Sequence, residues 1–260
     1  MPVIAAEAMR LTVGNRLLLD GVSFGVEKGE VVAVLGANGV GKTTLLRAVA
    51  GLHPLSAGSL RVAGCEVSSM NPLERAKRVA FMTSDDAALE SMSVREVVAM
   101  GRHPYHRWWE WSRTGSDEDA IDAALEAVAL QPLAHRDVRT LSTGERQRCW
   151  LALGLAQGAA ILLLDEPTSH LDIRFAQQIL GLMRELATRA ITVLAVLHDP
   201  NEAAAFADKL LLLGPGSALA FGTPAEALTE TLLEETYGTP MGIVRTTLGL
   251  HVVAGARTKA

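Results

Sequence analysis

The segment GANGVGKT, Gly36 to Thr43, carries the clearest chemical signal in this chain. Its G-x-x-x-x-G-K-[ST] spacing places glycines where successive backbone N–H groups must turn inward, which makes a concave donor surface for phosphate oxygens. A helix that opens directly after the loop adds the positive end of its dipole. On this reading Gly36, Ala37, Asn38, Gly39, Val40, Gly41 and Thr44 line a phosphate cradle. Lys42 reaches the β- and γ-phosphates, and Thr43 holds Mg²⁺.

Two further signals lie downstream. The apolar run ILLL ends in Asp165 and Glu166. At the carboxyl edge of a parallel sheet, one acid reaches Mg²⁺ and its neighbour aligns a water with the terminal phosphate. Asp165 is assigned to the metal and Glu166 to the water. His198 closes the next apolar run, ITVLAVLH. A lone histidine at a strand end is more often a structural hydrogen-bonder. Two phosphate-site motifs on neighbouring strands favour a contact with the γ-phosphate instead.

These side chains need strands and helices in strict alternation to hold them. Residues 1 to 30 read as short strands turning at Gly14-Asn15, and EVVAVLG reads as a buried central strand because it lacks polar alternation. A helix follows from Lys42 to about Gly51, then a strand, a helix opening at Asn71-Pro72, and the strand VAFM. Residues 93 to 130 change to helical periodicity, and the second helix there is expected to open on Ser116 and Asp119 at capping-box spacing. After a helix from Ser142 come AILLLDEP, a helix over about 174 to 189, AITVLAVLH, a short helix and KLLLLG. This alternation predicts a parallel sheet covered on both faces. A hairpin-like pair, MGIVRTTLG and LHVVAGA, finishes the chain.

Composition narrows the function classes. With 260 residues, 49% of them apolar, the chain is expected to bury an ample core. Its net charge of -5 argues against a general nucleic-acid binder, although arginines gather near residues 102 to 113. Cys65 and Cys149 have no partner spacing for a disulfide framework or zinc, which fits a reducing compartment. No apolar run approaches bilayer length, so the chain is not expected to cross a membrane by itself.

LSTGERQR at 141 to 148 looks first like a capped helix start, with Ser142 and Glu145 as a capping box. Taken with the phosphate loop, LLLDEP, SHLD at 169 to 172 and His198 in that order, it resembles the ATP-binding subunit of ABC transporters. The resemblance runs from about residue 3 to 225. It implies an α/β P-loop NTPase fold: a RecA-like parallel-sheet core, an N-terminal antiparallel β lobe and a helical insert over about 85 to 157, within one domain spanning 1 to 260. It also implies an ATPase with ATP and Mg²⁺ as ligands. Two copies would pack head to tail, so that Ser142, Thr143, Gly144 and Glu145 of one copy meet the γ-phosphate held by the other, and Asp172 would couple the two sites. The implied partners are permease subunits and, indirectly, an extracytoplasmic chelate-binding protein, with no nucleic acid. The implied location is the cytoplasmic face of the membrane, held peripherally.

Three positions depart from the family pattern. Thr143 and Glu145 replace a Gly and a Gln in the signature, which points to weaker or slower engagement across the dimer. Ser84 stands where a glutamine usually reaches Mg²⁺ and the attacking water and signals to the permease; it is too short for direct contact, so a bridging water from Ser84, or Asp85 in its place, would substitute at the metal. The aromatic residue that stacks on adenine is missing near Val13 to Arg16, where the Arg16 guanidinium would stack instead.

Within GRHPYHRWWEW, residues 101 to 111, Gly101, Arg102 and Pro104 resemble a GRxP stretch of importer ATPases for siderophores, haem and cobalamin. RQRCWLALGLAQ and PTSHLDI lean the same way. The alternatives are an ATPase for another imported or exported substrate, or a soluble non-transport ABC ATPase. Three of the four tryptophans fall in this stretch. With Arg102, Arg107 and Arg113 they are read as a protein interface beside the membrane.

Overall fold

The computed structural model describes residues 1–83, 91–106, 114–247 and 249–255. Strands β1 (Ile4–Val13) and β2 (Arg16–Val26) form an antiparallel pair around the expected turn, and β3 (Val31–Gly36) leads through the glycine loop into α1 (Lys42–Val49). β4 (Ala57–Val62) and β5 (Cys65–Glu66) return to the first pair, giving a lobe of order β2-β1-β4-β5. α2 (Pro72–Ala76) starts where the Asn71-Pro72 signal places it: the Asn71 side chain accepts from the Leu73 N–H at 2.8 Å, and Pro72 needs no partner for a missing N–H. β6 (Val79–Met82) follows.

Helices α3 (Val94–Ala99), α4 (Gly115–Ala127) and α5 (Thr143–Ala156) separate β6 from β7 (Ile161–Asp165). Then come α6 (Ile173–Thr188), β8 (Thr192–Val196), α7 (Pro200–Phe206), β9 (Lys209–Gly214) and β10 (Ser217–Gly222). Helices α8 (Pro224–Ala227) and α9 (Glu230–Tyr237) lead to the hairpin β11 (Met241–Thr246) and β12 (Gly249–Ala254). The main sheet has the order β10-β9-β3-β8-β7-β6; β9, β3, β8, β7 and β6 are parallel and β10 is antiparallel to β9. β10 is an edge strand that the sequence reading does not contain, since SALAFG shows no run of branched residues.

Why the central strands lack polar alternation is visible in their packing. Along β3, Val31, Ala33 and Leu35 enter one core while Val32 and Val34 enter another. Leu162 and Leu164 of β7 split from Ile161 and Leu163 in the same way. A strand buried on both faces has no solvent side on which to place a polar residue. One core is closed by the helices α3 to α7. The other is closed by α1 and the antiparallel lobe, where Phe24 meets Phe221 of β10 at a centroid distance of 6.0 Å. The second cover is therefore largely a β lobe and not helices alone. Among the described residues no helix is long and apolar enough to cross a membrane.

The helical segment is fastened by charge. Arg95 of α3 bonds Glu118 and Asp122 of α4, each at 2.6 Å. More deeply, the Asp117 side chain, 2% exposed, takes the Arg102 guanidinium at 2.9 Å and lies 3.0 Å from His106. Arg102 takes Oδ1, while Oδ2, the oxygen near His106, also accepts from the Thr114 N–H at 2.8 Å and from the Thr114 hydroxyl. Hence α4 is capped by Thr114 and Asp117, two residues earlier than the expected Ser116 and Asp119. The reason is tertiary: Asp117 lies on the buried face of α4 with Ile121, Ala124 and Leu125, where Arg102 and His106 meet it. Arg102 also donates to the Ala156 carbonyl at 2.8 Å and stacks 3.9 Å from the Tyr105 ring centre. Arg102 is thus an internal fastener and not part of a free interface. Arg107, Trp108, Trp109, Trp111 and Arg113 lie outside the described residues, as does Ser84.

Burial opposes the charge on Asp117, but its bonds to Thr114 and Arg102 and the proximity of His106 hold its carboxyl far below the usual range. Because that shift is downward, its stabilisation is present at neutral pH and is lost only as pH falls below the normal carboxylate range. Asp117→Asn should leave the Arg102 charge uncompensated and destabilise the fold by about 3 kcal/mol. Thermal unfolding should register this as a melting point lower by roughly 8 °C. An unchanged melting point would remove this fastening role.

Candidate nucleotide site

The phosphate loop, the end of β7 and His198, two residues past β8, meet at the carboxyl edge of the main sheet. A cleft of about 380 Å³ there is lined by Asn38, Gly39, Gly41, Lys42, Thr43 and Thr44 from the loop, and by Leu18, Glu166 and His198 around it. The loop conformation requires glycine at its entrance: a Cβ on Gly36 would sit 2.7 Å from the Leu213 carbonyl and 2.9 Å from Val40. Lys42 is buried, and its ammonium donates to the carbonyls of Gly36 at 2.8 Å and Ala37 at 3.1 Å. Burial lowers its pKa, partly offset by the nearby charges of Glu166 and Asp165.

Asp165, the last residue of β7, is 9% exposed. Burial raises its pKa against the hydrogen bond donated by the Thr43 hydroxyl, and the charge of Glu166 raises it further. Its Oδ1 is buried without a hydrogen-bond partner. An orphaned carboxylate oxygen beside a hydroxyl is a hard-oxygen donor set, and it fits a divalent cation such as Mg²⁺.

Glu166 leaves the strand in the left-handed region, at φ 56°, which is uncommon for a residue with a side chain. Its N–H donates to the Val196 carbonyl at 3.2 Å, so the neighbouring strand pins this turn. The turn aims the carboxylate at His198, with Oε1 2.7 Å from Nε2, while the Ser169 hydroxyl donates to Oε2 at 3.2 Å. Burial disfavours its charge, but His198, Ser169 and Lys42 outweigh that and keep its pKa below normal. Glu166 is therefore an ionised acceptor facing the cleft at neutral pH.

The remaining expected residues stand apart from this cleft. Ser142 caps α5 as a capping box: its N–H and hydroxyl donate to Glu145, each at 2.8 Å, and the Glu145 N–H donates back at 3.3 Å. These bonds, with the nearby charges of Arg136 and Arg148, lower the pKa of Glu145 against the effect of burial. Gly144 is needed for packing, since a Cβ there would come 2.9 Å from the Phe175 ring. Thr143 lines a second, smaller cleft with Arg146, Trp150, Ser169, His170 and again Glu166. Asp172 caps α6, accepting from the Phe175 N–H at 3.0 Å. Arg16 is exposed at the start of β2, and Leu18, two residues on, is the lobe residue that lines the nucleotide cleft. The roles of Leu18 and Ser169 are not legible in spacing, because they come from tertiary neighbours.

Comparison with known proteins follows the same lines. Residues 19–169 match the family described as ABC transporter. The chain is 42% identical over 239 residues to the hemin import ATP-binding protein HmuV of Streptomyces coelicolor, covering 92% of this chain and 84% of that protein. It is 37% identical over 239 residues to the probable siderophore transport system ATP-binding protein YusV of Bacillus subtilis, covering 91% and 86%. Against the ferric enterobactin transport ATP-binding protein FepC of Escherichia coli, identity is 35% over 237 residues, covering 90% and 87%. Among solved structures, a chain of an inward-facing ABC transporter assigned to the metal-chelate type superposes with a TM-score of 0.87 at 28% identity, covering 99% of both chains.

Proposed function

This chain belongs to the ABC transporter family, and from that premise we propose that it is an ATPase powering import of a metal chelate, of siderophore, haem or cobalamin type, through a separate membrane permease. The observation that carries the ATPase reading is the convergence of Lys42, Thr43 and the Glu166–His198 pair on one cleft, with Asp165 hydrogen-bonded to Thr43. The chelate reading is supported by the relatives named above, which are import or transport ATP-binding proteins for hemin, siderophore and ferric enterobactin and align over about nine tenths of this chain.

In this reading the loop amides and Lys42 bind the ATP phosphates, and Thr43 and Asp165 hold Mg²⁺. When bound, that ion supplies positive charge that neutralises the phosphate oxygens as the terminal bond breaks. Glu166 orients the attacking water and accepts its proton. His198 contacts the γ-phosphate and keeps Glu166 aimed. A second copy packs head to tail, bringing Ser142, Thr143, Gly144 and Glu145 to the γ-phosphate held by the first, while Asp172 couples the two sites. Arg16 stacks on the base. Residues 1 to 260 act as one domain, held at the cytoplasmic membrane face by the permease, with a chelate-binding protein on the far side and no nucleic-acid partner.

Purified protein should hydrolyse ATP when Mg²⁺ is supplied, and affinity purification from membranes should bring down a multi-span subunit. Recovery of active protein from membranes with no hydrophobic partner would sink the import reading. The aromatic segment gives a sharper check. Replacing Trp108 and Trp109 with Ala should leave basal hydrolysis within about twofold and weaken its stimulation by the permease. A collapse of basal hydrolysis would mean that the tryptophans serve the core.

A further inference from the structure

Helix α7 has seven residues, too few to be stable as an isolated helix, yet it begins two residues after His198 and so governs where that side chain stands. Asp199 caps it, accepting from the Asn201 N–H at 2.8 Å. The next two side chains each make a long-range attachment. Asn201 meets β12: its Nδ2 donates to the Val252 carbonyl at 3.1 Å, and its Oδ1 accepts from the Val252 N–H at 2.7 Å. One side-chain amide thereby supplies both halves of a rung that a further strand would have made. β12 otherwise pairs with β11 and with neither larger sheet, so this amide joins the C-terminal hairpin to the helix of His198. Glu202 points elsewhere, its Oε2 accepting from the Thr168 hydroxyl at 2.9 Å. Thr168 lies two residues beyond Glu166, on the loop whose Ser169 donates to Glu166.

We propose that Asn201 and Glu202 are positioning residues for ATP hydrolysis: they clamp the His198 helix between the C-terminal hairpin and the loop that carries Glu166, and so hold the Glu166–His198 pair in register. The proposal rests on the roles assigned above to Glu166 and His198. The physical reason for the clamp is the exposure of the pair. At 2.7 Å apart but with side chains 32% and 44% exposed, Glu166 and His198 are not wedged in place by packing. Alignment must come from the backbone segments that carry them, and small misplacements of reacting groups are costly. None of the described hairpin residues lines the nucleotide cleft, so the hairpin acts through α7.

The test uses the full chain. Asn201→Ala and Glu202→Ala should each lower kcat about tenfold while the KM for ATP stays within about twofold. Glu202→Gln keeps an acceptor for Thr168 and should restore most of kcat, which a nonspecific loss of stability would not allow. If Asn201→Ala does not accumulate as folded protein, Asn201→Asp serves in its place: it keeps the acceptor for the Val252 N–H, loses the donor, and should show the same kcat loss at smaller size. Parental kcat in the Asn201 and Glu202 alanine variants, or equal losses in Glu202→Ala and Glu202→Gln, would overturn the clamp. His198→Ala measured alongside separates the two levels. An active His198→Ala protein removes the underlying assignment, whereas an inactive one beside fully active Asn201 and Glu202 variants removes the clamp alone.

Discussion

Glu166→Gln should lower steady-state ATP hydrolysis by about 10³-fold while ATP and Mg²⁺ still bind, because a positioned proton acceptor is worth on the order of 10² to 10⁴ in rate. The substitution is nearly isosteric. A glutamine at this turn keeps the left-handed backbone and can still meet His198 and Ser169, so the geometry survives and only the basic oxygen is lost. The ionised state that is removed is one the site maintains: His198, Ser169 and Lys42 hold the Glu166 pKa below normal despite burial. If hydrolysis is what releases two copies from a shared pair of ATP molecules, the variant should also accumulate as an ATP-dependent dimer, read by size-exclusion chromatography with light scattering. A Glu166→Gln protein that turns over like the parent would remove the assignment of the base. Loss of turnover without dimer accumulation would leave the base in place and remove the head-to-tail arrangement.

How much of this was legible in the residues follows from the range of the forces involved. The phosphate loop is local: Gly36 to Thr43 sets its own backbone through glycines and the following helix start, so its place between β3 and α1 could be read from eight letters. Asp165 and His198 were legible because each ends an apolar run that only a strand buried on both faces would have. What spacing cannot carry is pairing across the fold. The choice of Asp117 over Asp119 as the inward acid of α4 depends on Arg102 and His106 arriving from the other side of residues 107 to 113. Leu18 reaches the cleft only because the lobe folds over the sheet. Asn201 and Val252 are 51 positions apart, and nothing in NEAAAF distinguishes a clamp from a solvated helix face. β10 is hard to read for a related reason, since an edge strand of half-buried residues needs no strong apolar pattern.

Lys42→Ala should weaken ATP binding about 100-fold, equivalent to roughly 3 kcal/mol, and abolish measurable turnover. Two effects act in the same direction. The ammonium that would contact the phosphates disappears, and Asp165 and Glu166 lose the nearby cation that offsets their charge. A polyanion would then approach two carboxylates without the buried cation that lies nearest the loop. Arginine does not repair the site. Lys42 is buried and directs its ammonium at two carbonyls of its own loop, a point-charge geometry that a planar guanidinium fork does not fit. Lys42→Arg should therefore bind ATP nearly as poorly as Lys42→Ala. Calorimetric titration with ATP and Mg²⁺ measures this directly. Asp165→Asn is the matched control: it should keep ATP binding without metal and lose the gain in affinity that Mg²⁺ brings, because the orphaned Oδ1 is the oxygen offered to the cation. If Lys42→Ala binds ATP within threefold of the parent, the loop amides alone hold the phosphates. The buried lysine would then need a structural explanation in its bonds to Gly36 and Ala37.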